Sequence, residues 1–271
     1  MVKKLLKHEF IYYFRTFSIF VPIVLIVAAM TRVFFLFDTS NPIVSIVAFS
    51  SSLLLYLACM ALLLMATVVC IVRFYKNMYA TEGYLTLTLP VSHTQHILVK
   101  LISAIAVQAI AVLTVFAAVC IALAGQSLGL LFEGFGALFA DIAKLIGGGN
   151  LAGYIIEFVL LIIVCSAESM LLFYGCITVG QMAKKNRVLM AFVSFFVYYL
   201  GSQIVGTILL IIFYILGRTT TLPAQLLAWA VENLAAAMHL YLCGMLLICA
   251  GLGVLFFFIT RSIMKKKLNL E

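Results

Sequence analysis

The chain has 271 residues, of which 66% are hydrophobic and only 10% charged, with a mean hydropathy of +1.26; a water-soluble globular domain of this length does not carry that composition. The formal net charge of +8 has no folded basic domain to sit on, which excludes a nucleic-acid binder. The seven cysteines, Cys59, Cys70, Cys120, Cys165, Cys176, Cys243 and Cys249, lie in apolar stretches without a C-x-x-C pair, so they read as small buried hydrophobes rather than a disulfide or metal framework.

At the N-terminal end Leu6, Phe10, Tyr13 and Phe17 recur at helical steps while Lys3, Lys4, Lys7 and Arg15 fall mainly elsewhere. That pattern predicts an amphipathic helix over 1–16, lying flat on the inner leaflet. No small-residue cleavage site follows the first apolar run, so it is expected to stay as an uncleaved span. A helical span needs roughly 20 apolar residues, and six such stretches are expected at about 17–37, 43–72, 97–124, 151–182, 188–216 and 234–260. Short alternating strands of the kind a membrane barrel needs are not seen. The expected fold class is therefore all-α, a polytopic membrane protein of six transmembrane helices in a single transmembrane domain.

Sorted onto alternating sides, Lys3, Lys4, Lys7, Arg15, Arg73, Lys76, Lys100, Lys184, Lys185, Arg187, Arg261, Lys265, Lys266 and Lys267 share one side, and Arg32, Lys144 and Arg218 the other. The positive-inside rule makes the first side cytoplasmic, with both termini inside. On the outer side, Asp38 to Pro42 forms a brief turn. The second outer connection, 125–150, carries an apolar stripe of Leu131, Phe135, Leu138, Phe139, Ile142 and Leu145 before Gly147-Gly148-Gly149, which fits a surface helix followed by a hinge. The third, 217–233, has Pro223 placed for a first helical turn and Trp229 where an interfacial anchor is expected. No internal repeat is visible, which counts against a secondary transporter built from paired halves.

The cytoplasmic connection 73–96 differs from an ordinary loop. It alternates apolar and hydroxyl residues through Glu82-Gly83-Tyr84-Leu85-Thr86-Leu87-Thr88-Leu89-Pro90-Val91-Ser92. Gly83 permits a sharp turn, and Pro90 removes a donor and biases Leu89 away from helix. Ser92-His93-Thr94-Gln95 then matches the S-x-x-Q capping box that opens a helix.

These features together, the N-terminal amphipathic helix, the Glu82-Gly83-Tyr84-Leu85 … Leu89-Pro90-Val91-Ser92 loop ending near Lys100, the six spans with both ends inside and the helical stretch before the last span, resemble the membrane subunits of type-2 ATP-binding-cassette exporters, in particular the small six-span permeases of Gram-positive bacteria. The resemblance implies a permease in a bacterial cell membrane that exports an amphipathic peptide, drug or lipid. It also implies a cytoplasmic ATPase subunit, a second permease copy or homologue, and surrounding membrane lipids as partners. Glu82, Gly83, Tyr84, Leu85, Leu87 and Leu89 would dock the ATPase, with Pro90 to Ser92 as the joint. The chain has no G-x-x-x-x-G-K-[ST] phosphate loop, so ATP and Mg are expected on the partner rather than here, and the chain is not expected to be an enzyme. Lys184, Lys185 and Arg187 offer either a second contact to that partner or a topology signal facing anionic headgroups.

Glu168 lies near the middle of the fourth span, where an acid costs roughly 3 kcal/mol to insert. Glu157 precedes it by eleven residues, which returns to within about 20° of the same helix face. The two acids either line a translocation path or make interhelical polar contacts, and Arg32, at a depth similar to that of Glu157, is expected to pair with it. His93 and His96 have an H-x-x-H spacing without a carboxylate or cysteine cluster nearby, so no metal is expected. His8 and His239 are assigned no role. No H-E-x-x-H, G-x-S-x-G or carboxylate pair with a histidine at membrane depth is present. Two alternatives stay open: an ion-coupled transporter or channel that uses Glu157 and Glu168, and a non-transporting membrane scaffold or sensor subunit.

Overall fold

The computed structural model describes residues 2–37, 41–80, 83, 91–145 and 151–266, with the side chains at 126, 127, 131, 138, 139, 142, 145, 151 and 266 excepted. Every regular element among the described residues is helical: α1 Val2–Phe35, α2 Pro42–Tyr79, α3 His93–Ala122, α4 Gln126–Leu145, α5 Leu151–Gly180, α6 Arg187–Thr219, α7 Leu222–Glu232 and α8 Leu234–Lys266. Six of them, α1, α2, α3, α5, α6 and α8, are long and apolar enough to cross a membrane. The chain is an all-α polytopic membrane protein, as the hydropathy pattern predicts.

The boundaries differ from expectation at the lysine-rich ends. No break separates an interfacial helix ending near Thr16 from a first span; α1 is one helix of 34 residues, about 51 Å long at ~1.5 Å per residue. The second span likewise continues past Val72 through Arg73 and Lys76 to Tyr79, and α3 begins at His93, so the connection between them shortens to 80–92. The cause is the same in both places: polar residues end an apolar run without ending a helix. Helix stops only where backbone groups are diverted, at Asn41, whose side chain accepts from the Ile43 amide ahead of Pro42, or at Ala80, whose extended backbone closes α2.

Two compact units divide the chain, residues 1–138 and 139–271, with the boundary inside α4. In the first, α1, α2 and α3 each pack against the other two. Their buried stripes are rich in small residues, Ala28, Ala48, Ala66, Ala104, Ala111 and Ala118 among them, which lets helices approach closely where lipid supplies no hydrophobic contrast. Thr31 Oγ1 donates to the Val27 carbonyl at 2.9 Å and also approaches the Ser51 carbonyl of α2 at 3.2 Å. Pro22 interrupts the hydrogen-bond ladder of α1, a break that membrane helices tolerate when packing compensates.

In the second unit α5 is the centre, packed on α8 along one face and on α6 along another. Gly180 is required at the α5–α6 turn, because a Cβ there would lie 2.6 Å from the Ala191 amide nitrogen. Asn186, at φ 54°, supplies the left-handed residue that starts α6, a conformation Asn adopts more readily than most. Ser194 Oγ donates to the Cys176 carbonyl at 3.1 Å and fastens the hairpin. Beyond this hairpin α6 buries none of its residues within the unit.

Candidate functional site

The buried acidic and basic residues of the first unit, Glu9, His96 and Lys100, lie with Asn77 and Ser103 at its lysine-rich end, whereas Thr31 and Thr114 are buried farther along the helices. Glu9 lies on the same stripe of α1 as Tyr13 and Phe17 and is 5% exposed. Its Oε1 accepts from Lys100 Nζ of α3 at 2.6 Å and from Asn77 Nδ2 of α2 at 3.2 Å, while Oε2 meets Arg73 Nε of α2 at 3.5 Å. Lys100 is only 3% exposed, and the Arg73 guanidinium sits 4.0 Å over the ring of Tyr12, a cation–π contact. A single carboxylate on α1 thus holds α2 at Asn77 and Arg73, two and six residues before its end at Tyr79, and α3 at Lys100, about two turns from its start at His93. Burial of ions is costly unless every charge is matched and hydrogen-bonded. The site meets that condition by spending both Glu9 oxygens on donors from two other helices.

The two helices that Glu9 joins are the stems of the 80–92 connection. At the exit of α2, Ala80 donates its amide to the Tyr75 carbonyl and Gly83 donates to the Ala80 carbonyl at 2.7 Å. Gly83 is buried, and a Cβ on it would lie 2.7 Å from the Met78 carbonyl oxygen, so the turn admits no side chain. At the entrance to α3 the capping box is present in full: Ser92 Oγ accepts from the Gln95 amide at 3.3 Å, and the Ser92 amide donates to Gln95 Oε1 at 3.2 Å. His96, one turn on, is buried. Among the described residues no group of three His, Cys, Asp or Glu side chains could hold a metal there or elsewhere. Glu82, Tyr84, Leu85, Leu87, Leu89 and Pro90 lie outside the described residues.

No protein-family model, curated protein or solved structure matches the chain.

The second unit has its own polar contact. His239 Nδ1 of α8 lies 2.8 and 2.9 Å from the two carboxylate oxygens of Glu157 on α5; toward an ionised carboxylate this nitrogen is the donor. The ring of Tyr154 stacks on His239 at 3.9 Å, and the Tyr154 hydroxyl donates to the Ala235 carbonyl at 2.7 Å. Within its own unit Glu157 therefore takes His239 as partner. The Arg32 guanidinium lies against Gly125, whose φ of +101° favours glycine, while the guanidinium end, 2.8 Å from where a Cβ would sit, could swing away.

Glu168 follows on the face that Glu157 occupies. Gly253 of α8 abuts it, with space for a Cβ only 3.7 Å from the Glu168 backbone and Cβ. Both acids face α8, as the eleven-residue spacing predicts, and Cys165 Sγ meets Cys249 Sγ at 3.3 Å between the same helices. Lys184 and Lys185 are exposed in the α5–α6 turn, with Arg187 opening α6.

Glu9 and His239 are the residues that sequence reasoning missed. A signal for Glu9 was present, since an acid on the apolar stripe beside Tyr13 and Phe17, amid lysines, needs a buried cation. His239 had a weaker one: a histidine one turn into the last span is unremarkable until a carboxylate is known to face it.

Proposed function

We propose that the chain is the permease subunit of an ATP-binding-cassette exporter, with its lysine-rich face in the cytoplasm and ATP hydrolysis in a separate subunit that docks on the 80–92 connection. What supports this most is the Glu9 cluster. A loop that only joins two spans has no need for both stems to be bound by buried charge to a third helix, whereas a loop that receives force does. With Lys100, Arg73 and Asn77 held on one carboxylate, displacement of the connection is delivered to α1, α2 and α3 together. The residues taken to dock the ATPase are Glu82, Gly83, Tyr84, Leu85, Leu87 and Leu89, with Lys184, Lys185 and Arg187 as a second contact. Cargo of amphipathic character suits the scarcity of polar groups in the spans.

A second permease copy is part of the proposal. Helix α6 buries no residue within its unit, and Gln203, near its midpoint, is exposed. An amide at that depth requires a hydrogen-bonding neighbour rather than acyl chains.

The test is purification from the native membrane in mild detergent. An ATP-binding-cassette ATPase is expected to co-purify with the wild-type chain and to be lost when Leu85→Asp and Leu87→Asp are combined, the variant keeping the wild-type melting temperature. A chain that purifies without any ATPase, or a variant that retains it, overturns the reading. The ion-coupled alternative, with Glu157 and Glu168 as its track, predicts instead ion flux in vesicles without nucleotide, and the scaffold alternative predicts an assembled complex that moves no cargo with ATP.

A further inference from the structure

Next to the Glu9 stripe of α1, and sharing Tyr13 and Phe17 with it, lies a groove of about 440 Å³ bounded by Phe10, Tyr13, Phe14, Phe17, Val21 and Pro22 of α1 and by Val107 and Ile110 of α3. Of its two hydroxyls, that of Ser18 is turned back to the Arg15 carbonyl at 2.8 Å and that of Tyr13 is buried, so the walls present an almost wholly apolar surface. Phe14 leaves 79% of its surface uncovered there. From Phe10 to Pro22 the axial rise is about 18 Å at ~1.5 Å per residue, close to the ~15 Å hydrocarbon depth of a single leaflet.

The groove is continued in one direction by charge. Lys3 and Lys7 precede Phe10 by seven and three residues on α1, which at about 100° per residue places both within roughly 60° of the direction of Phe10, Phe14 and Val21. Both lysines are exposed and helical. One face of α1 therefore reads, from its N-terminal end inward, as two cations followed by an aromatic-walled apolar channel one leaflet deep. Neither a protein segment nor a soluble anion has that polarity; a phospholipid with an anionic headgroup does.

We infer that this groove is a binding site for one anionic phospholipid of the adjacent leaflet, its acyl chain between α1 and α3 and its headgroup on Lys3 and Lys7. The site is independent of the permease reading. Pro22 and the aromatic row shape the acyl end, and the lysines select the headgroup.

Quenching by brominated lipids tests it. The full chain, with Trp229→Phe to remove the native indole and Phe14→Trp to place one in the groove, is reconstituted in mixed vesicles of phosphatidylglycerol and phosphatidylcholine, with bromine on the acyl chains of one or the other. Brominated phosphatidylglycerol is expected to quench preferentially, and Lys3→Gln with Lys7→Gln to reduce that preference by roughly five-fold per lysine, the worth of one basic residue at an anionic surface. Lys184→Gln with Lys185→Gln should leave it unchanged, and Ser18→Phe, which fills the channel, should abolish the preference and leave the two lipids to quench equally. Equal quenching by the two lipids while Ser18 is retained, equal effects of the two lysine pairs, or a headgroup preference unaffected by Ser18→Phe each overturns the assignment.

Discussion

Neutralising Glu9 while keeping its shape isolates the electrostatic part of the cluster. In Glu9→Gln the amide oxygen still accepts from Lys100 Nζ and Asn77 Nδ2, at 2.6 and 3.2 Å in the wild type, but the charge that balances Lys100 is gone. Lys100 has a side-chain exposure of 4%, so water does not replace the lost partner. Breaking a buried pair by removing one member costs about 3–5 kcal/mol. The lower value applies here, because the amide oxygen keeps the hydrogen bonds to Lys100 and Asn77, and Arg73, which loses its acceptor, has 16% of its side chain exposed and is partly solvated. For a chain of this length about 3 kcal/mol corresponds to a fall of roughly 6–12 °C in melting temperature. Removing both charges, in Glu9→Gln with Lys100→Met, should recover more than half of that loss, since a neutral buried pair has no desolvation debt. With the exposed Cys243 and the other five cysteines replaced by Ala, a thiol-reactive fluorophore reads the transition, because Cys70 is fully buried beside the cluster and reacts only on unfolding. A shift of under about 2 °C for Glu9→Gln, or a double variant whose loss equals the sum of the two single ones, refutes the idea that the three helices are held through this carboxylate.

Three other substitutions have outcomes that follow from single distances. Gly180→Val places a Cβ 2.6 Å from the Ala191 nitrogen and 2.8 Å from its Cα; both are backbone atoms, so the α5–α6 hairpin must open, at about 1–3 kcal/mol, read as a lower melting temperature in detergent. Ser92→Ala removes the side-chain half of the capping box and should cost about 1 kcal/mol; hydrogen exchange is expected to accelerate at the first turn of α3 and not at its centre. His239→Phe keeps a ring against Tyr154, now stacked at 3.9 Å, but withdraws the donor from Glu157. With side-chain exposures of 30% and 25% for the pair, the loss should be about 1–2 kcal/mol, and Glu157→Gln in the same background should restore most of it in a thermal melt.

The spans were legible because the hydropathy signal is a property of composition, and a stretch such as Leu53 to Cys70 has no polar residue that would take it out of a bilayer. Where a span gave way to water the signal failed, because Arg73 and Lys76 lower hydropathy without opposing helix, and α2 runs on to Tyr79. The helix start at Ser92 was readable for the opposite reason: a capping box is a local device, written in four consecutive residues. Partnerships between helices are not local. Glu157 met His239 across 82 positions and Glu9 met Lys100 across 91, and nothing within either neighbourhood distinguishes one carboxylate from another until the packing order of α1, α2 and α3, or of α5 and α8, is known. Equal depth, the criterion that suggested Arg32 for Glu157, ranks candidates by a single coordinate and says nothing of which helices touch.

The two units differ in how their middle helices are held, and the difference bears on where motion is possible. Helix α2 buries Ala48, Leu55, Cys59, Leu62, Ala66, Cys70, Phe74, Asn77 and Met78 along its length and is tied to α1 at one end by the Thr31 hydroxyl and at the other by Glu9, so it cannot shift without breaking polar contacts at both ends. Helix α6 is fastened in its first part, through Gly180 and Ser194, the Phe195 ring stacked on Phe173 of α5 and the Tyr198 ring against Phe256 of α8, and none of its residues is fully buried. Packed interiors respond as rigid blocks, and displacement concentrates where few contacts must be exchanged. A force applied at 80–92 would therefore move α1, α2 and α3 as one body, whereas within the second unit the free half of α6 is the element able to change its angle. A spin label at Ile211 should then show greater mobility relative to α5 than one at Leu62 shows relative to α1, and equal mobilities would place the flexible element elsewhere.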